Sequence, residues 1–96
     1  MIKPTKARSR YTQHELKVHP EPFEALWNGK KTCEFRLNDR NYELDDTLVL
    51  KEYNPVLKSY TGRQVIRYIT HIQTGFGIPD GWVMLSMRSF PFGVNK

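Results

Sequence analysis

Between Trp27 and Thr32 the hydrophobic period of this chain changes abruptly, and no other feature constrains its fold as much. Before the change, Phe23, Leu26 and Trp27 fall at i, i+3 and i+4, which is helical spacing. After it, Cys33, Phe35 and Leu37 alternate with Thr32, Glu34 and Arg36, which is strand spacing. Asn28 and Gly29 sit at the junction. Glycine closes a helix there because it enters the left-handed conformation without a Cβ penalty. Pro20 and Pro22 suit the helix entry and first turn, and Glu21 and Glu24 complement its positive end. This pattern predicts a helix over residues 21–28, its apolar stripe on a sheet, passing at once into a strand whose apolar side holds a buried Cys33.

The remaining periodic segments read as strands. HELKV (14–18) alternates polar and apolar residues. TLVLKEY (47–53) is β-branched and apolar, and WVMLSM (82–87) forms a last strand. RQVIRYITHI (63–72) places Val65, Arg67, Ile69 and His71 opposite Ile66, Tyr68, Thr70 and Ile72. The polar stretch NDRNYELDD, the hairpin loop NPVLKSYTGR and the glycine-rich QTGFGIPDG connect them. The expected class is α+β, mainly β. It is a small barrel or sandwich of about five mostly antiparallel strands, with one short helix after the first strand. Closure, or near closure, would remove the exposed edges of so small a sheet.

Ninety-six residues suffice for one core, expected over residues 12–88 between a flexible basic segment (1–11) and a C-terminal tail (89–96). No apolar run approaches the roughly 20 residues that span a bilayer, so no membrane contact is expected. The polar N-terminus has no apolar stretch of the kind a secretory signal needs. One cysteine cannot form an internal disulfide, which favours a reducing, cytoplasmic setting. Cys33, His14, His19 and His71 lack zinc-ligand spacing, so neither metal nor cofactor is expected. The loop with Gly75, Gly77 and Gly81 has no following helix and no Gly-Lys-Ser/Thr ending, unlike a phosphate-binding loop.

The net charge of +5 is unevenly spread. Lys3, Lys6, Arg8 and Arg10 account for four of the fifteen basic groups, leaving eleven against ten acids in residues 11–96. A basic tail strengthens phosphate contact in a salt-dependent way, or merely aids solubility. The sharper candidate is the strand after the helix. On one strand face, i and i+2 are about 7 Å apart, so Glu34 and Arg36 can meet or grip one ligand. Lys30 and Lys31 enter from the turn. Arginine binds phosphate or carboxylate through two hydrogen bonds, and lysine adds a point charge. The bland alternative is an exposed ion pair worth about 0–1 kcal/mol.

Gly29-x-Lys31-x-x-Glu34-x-Arg36 resembles the G-x-K-x-x-E-x-R signature of ASCH domains in the PUA-like superfamily. The resemblance runs over residues 12–87. It includes H-x-L-K at 14–17, the Pro-led helix with Phe23, N-D-R at 38–40 and Y-T-G-R at 60–63, as in small bacterial and phage ASCH-like domains of uncharacterised function. It implies a PUA-like β-barrel with a cleft beside its early helix, and RNA binding. Two departures stand out. Asp45-Asp46 replaces the Gly-Asp pair that many ASCH domains carry before the third strand. An amidohydrolase branch, which acts on acetylated cytidine, looks to use the signature Lys with a Thr where Glu34 stands here.

Three functions follow as expectations. In the first, RNA or a nucleotide binds in the cleft. Lys31 and Arg36 hold phosphate or a base edge, and Glu34 accepts from a base amino group or ribose hydroxyl. Lys17, Lys30 and Arg40 extend the basic rim, Thr32 lines it, His14 lines it or makes a structural hydrogen bond, and Tyr53 or Trp82 stacks a base. In the second, a small hydrolase acts on a modified nucleoside or RNA, as an amidohydrolase or ribonuclease. Lys31 then activates the nucleophile, Glu34 serves as general base and Arg36 stabilises the anion. In the third, the domain binds a host or partner protein through Phe76, Phe90, Pro91 and Phe92.

Overall fold

The computed structural model describes residues 12–90. The expectations for the basic N-terminal segment, and for Pro91 and Phe92, therefore fall outside the described residues. Six elements follow in order: β1 (Gln13–Val18), α1 (Pro20–Trp27), β2 (Cys33–Leu37), β3 (Thr47–Asn54), β4 (Ser59–Gln73) and β5 (Trp82–Ser89). The five strands and the early helix match the plan read from the sequence. The hairpin between β3 and β4 is tighter than expected, because its turn needs only Pro55–Lys58 and the strands use the rest.

The strand order is β1-β3-β4-β5-β2. Strand β1 pairs with β3 in parallel, and every other pair is antiparallel. A parallel pair needs a crossover, and α1 with β2 supplies it. The sheet curls into a half-barrel with β1 and β2 as its edges, so closure by a ring of strand hydrogen bonds is not reached. Arg36 spans the seam: its Nη2 on β2 donates to the Lys17 carbonyl on β1 at 2.9 Å.

The core fills the concave side. Leu16 and Val18 of β1, Leu48 and Leu50 of β3, Val65 and Ile69 of β4, and Val83, Leu85 and Met87 of β5 surround Phe23 and Leu26 of the helix. The β4 alternation does not persist to its end. A register shift between Ile69 and His71 reverses the faces, so His71 is exposed and Ile72 packs against the core. Such a bulge inserts one extra residue and bends the strand.

Arg63, the last residue of Y-T-G-R, fastens the helix to the sheet. Its guanidinium stacks over Phe23 and Trp27 at 5.1 and 5.0 Å. It donates to Glu52 on β3 through Nε at 2.9 Å and Nη2 at 3.1 Å, and to Glu24 on α1 at 3.1 Å. Thr61 Oγ1 donates to the same Glu52 carboxylate at 2.6 Å. Hydrogen bonding from Arg63 is the main reason that the Glu52 carboxyl is held below its ordinary value; burial opposes the shift and Thr61 adds to it. A depressed folded pKa stabilises the protein above the unfolded value, near 4.5, and that contribution disappears as pH falls through the folded value. Thermal stability is therefore expected to fall on acidification below pH 4.5, and Glu52→Gln to have a shallower acid limb than the parent. Parallel acid limbs would place the dependence elsewhere.

Candidate nucleic-acid interface

The helix stop aims the site. Asn28 N donates to the Glu24 carbonyl and Gly29 N to the Leu26 carbonyl, at 3.0 and 3.2 Å. Gly29 has φ 83°, the left-handed cap expected of it. Lys31 N then reaches back to the Ala25 carbonyl at 2.9 Å, and Thr32 accepts from Met87 N of β5 at 3.1 Å. These bonds set the register of β2 on β5, pairing Glu34 with Leu85 and Arg36 with Val83. Because Val83 and Leu85 face the core, Glu34 and Arg36 must face inward with them.

This reverses the faces read from the hydrophobic pattern. Phe35 and Leu37 point outward, about half exposed, opposite Met84 and Trp82. Cys33 is half-buried on that same face instead of lying in the core. The charged residues, not the apolar ones, take the concave side because they lie at the mouth of the half-barrel, where α1 and β1 leave a hollow. That cleft measures about 770 Å3 and is lined by Lys17, His19, Lys31, Glu34, Arg36, Arg40, Tyr42 and Trp82 among others.

Glu34 is 5% exposed, and both its oxygens are engaged. Lys31 Nζ donates to Oε1 and Arg36 Nε to Oε2, each at 2.9 Å. Lys31 Nζ also donates to the Cys33 carbonyl, and Arg36 also holds Lys17. The two cations keep about a quarter of their side-chain surface, 29% and 26%. The geometry thus fixes two cations in place with a shared carboxylate and leaves them facing the hollow. Beside them Phe35 and Trp82 stack at 5.0 Å, 25° from parallel. Tyr42, buried at the cleft wall, has its hydroxyl pKa pushed up chiefly by burial.

The structure brings Lys17, Lys31, Glu34, Arg36, Arg40 and Trp82 to this cleft. Lys30 is exposed in the preceding turn, with its N–H donating to Asn28 Oδ1. Thr32 lies in a second cleft on the other side of Lys31. Tyr53 is outside the hollow, beneath the Lys17 ammonium at 4.0 Å and edge-on to Tyr60. His14 is not a cleft residue: it is 6% exposed, hydrogen-bonded to the fully buried Asp46 at 2.9 Å and edge-on to Tyr42. Asp46 also accepts from Thr12 N and Glu43 N, so it organises the turn before β3. Asp45, with φ 70°, occupies the left-handed conformation that a glycine would hold most readily. Phe76 is 96% exposed, and Phe90 packs on Tyr68 at 5.2 Å.

Sequence reading missed His19 and Tyr42 at this cleft. Tyr42 follows N-D-R, whose Asn38 Oδ1 accepts from the Tyr42 N–H, and that short-range link was the available signal. Among the described residues, no group of His, Cys, Asp and Glu is arranged to hold a metal, and no helix is long and apolar enough to cross a membrane.

Residues 13–87 match the family described as a domain of unknown function, DUF3850. The chain is also 48% identical over 59 residues to an uncharacterised 12.9 kDa protein of Escherichia phage P2, encoded in the GpA 3′ region. That match covers 62% of this chain and 52% of the phage protein, so it spans about half the length of the curated relative.

Proposed function

The chain belongs to the DUF3850 family, and we propose that it is an ASCH-like, PUA-like module that binds RNA or a nucleotide in the cleft between α1, β1 and β2. The observation that carries this reading is the commitment of both Glu34 oxygens to Lys31 and Arg36. A carboxylate so held positions two cations and, at 5% exposure, offers little surface to an attacking water, which disfavours its use as a general base. The hydrolase reading therefore ranks below binding.

The cleft chemistry suits a single strand. Lys17, Lys31, Arg36 and Arg40 offer phosphate contacts, and Trp82 on Phe35 presents an aromatic face for a base. Stacking on such a face is sequence-tolerant, and a ribose hydroxyl distinguishes RNA from DNA. The test is a two-dimensional NMR titration of labelled protein with short oligoribonucleotides, and with DNA of the same sequence, at low and moderate salt. Shifts are expected at residues 31–40 and at the Trp82 indole, weakening as salt rises. Absence of shifts there at low salt would overturn the reading.

A further inference from the structure

We propose that the cleft on the far side of Lys31 holds a backbone phosphate of the same strand, an inference that rests on the nucleic-acid reading of the first cleft. This second hollow, about 900 Å3, lies between the turn after α1 and strands β4 and β5. Lys31, Arg67 and Arg88 line it together with the hydroxyl residues Thr70 and Ser86, and no Asp or Glu lines it. Lys31 belongs to both hollows. Thr32, in the second, and Arg36, in the first, are four residues apart on an extended segment, about 13 Å. A short oligonucleotide spans that distance.

Arg67 is the decisive residue. It is only 7% exposed, on the core side of β4 between Val65 and Ile69. Its Nη1 donates to the Ile66 carbonyl at 3.0 Å and its Nη2 to the Leu26 carbonyl at 3.2 Å. Both acceptors are neutral, and among the described residues no carboxylate forms an ion pair with this guanidinium. Burial lowers its pKa, as expected of a cation without a counter-charge. The Leu26 carbonyl at the helix end offsets part of that cost. A phosphate in the hollow supplies the missing negative charge and accepts from the guanidinium N–H groups left over. Arg88 and the hydroxyl groups add further donors to the wall. A purely structural Arg67, tying β4 to the helix end, requires neither.

The experiment measures the affinity of the full chain for a short oligoribonucleotide across a salt series, by fluorescence anisotropy. Arg88→Gln and Arg67→Met are compared with the parent, and circular dichroism confirms folding. Each phosphate contact to a single strand contributes a slope of about −0.7 in log K against log salt. Arg88→Gln is therefore expected to flatten the slope by about 0.7 and weaken binding about fivefold at about 0.1 M salt. Arg67→Met is expected to do the same if it folds, and Arg88→Gln decides the matter if it does not. Parent-like affinity and slope in Arg88→Gln, with shifts persisting at Arg36 and Trp82, would overturn the second cleft and leave the first reading standing. No binding by the parent chain at low salt would remove both.

Discussion

Phe23→Ala is expected to cost the domain about 3–5 kcal/mol and to leave a large fraction unfolded at room temperature. Phe23 is completely buried, lies beside Trp27 at 5.9 Å and sits under the Arg63 guanidinium. The helix it anchors has eight residues, far fewer than an isolated helix needs in water. Its stability therefore comes from packing, and Phe23 and Leu26 are its two fully buried side chains. Removing the phenyl ring leaves a cavity under a guanidinium that also holds Glu52 and Glu24. Domains have only about 5–15 kcal/mol of total stability, and small ones fall at the low end. Urea denaturation followed by far-ultraviolet circular dichroism measures the loss directly. A cost below about 1 kcal/mol would mean that α1 is not held to the sheet by this residue.

Arg36→Lys is expected to reduce stability by about 1–2 kcal/mol and, on the proposed function, to weaken RNA binding about tenfold, although the charge is conserved. Arg36 uses two different nitrogens for two jobs: Nε holds Glu34 and Nη2 bridges the sheet seam to the Lys17 carbonyl. A lysine has one nitrogen on a flexible stem and cannot keep both contacts while also facing the ligand. The seam then opens between β1 and β2, and the wall that carries Lys17 loses its link to the wall that carries Glu34. Denaturation and oligonucleotide titration of the same preparation separate the two effects. Unchanged values in both would show that the seam contact carries no weight.

Local signals made most of the fold legible. The period change at Asn28-Gly29 placed the helix and β2, and turn residues separated the other strands. The meeting of Glu34 and Arg36 was legible too, because i and i+2 share a strand face whichever way that face points, and Lys31 enters from the turn before the strand. Which way it points was not. Cys33, Phe35 and Leu37 form the more apolar side of β2, yet long-range pairing with β5 turns that side outward. The β4 bulge was hidden for the same reason, since an uninterrupted alternation from Val65 to Ile72 does not reveal an extra residue. His14 shows the reverse case. Its motif left the cleft and a structural hydrogen bond equally open, and its partner Asp46, 32 residues away in sequence, makes it the second, against Tyr42. Arg67 sat in plain view within an apolar strand face, but nothing local marked it as a buried cation meeting the end of the helix.

In the proposed function Glu34 positions Lys31 and Arg36, and the sign of one affinity change tests that directly. Glu34→Gln makes the hollow more positive by one charge while removing the carboxylate that fixes both cations. If Glu34 positions them, RNA affinity at low salt falls despite the added positive charge, and the Lys31 and Arg36 side-chain signals broaden or move in the free protein. If Glu34 is only a counter-charge beside a general basic patch, affinity rises instead. A rise, in a variant that remains folded, would contradict the preorganised cleft described above.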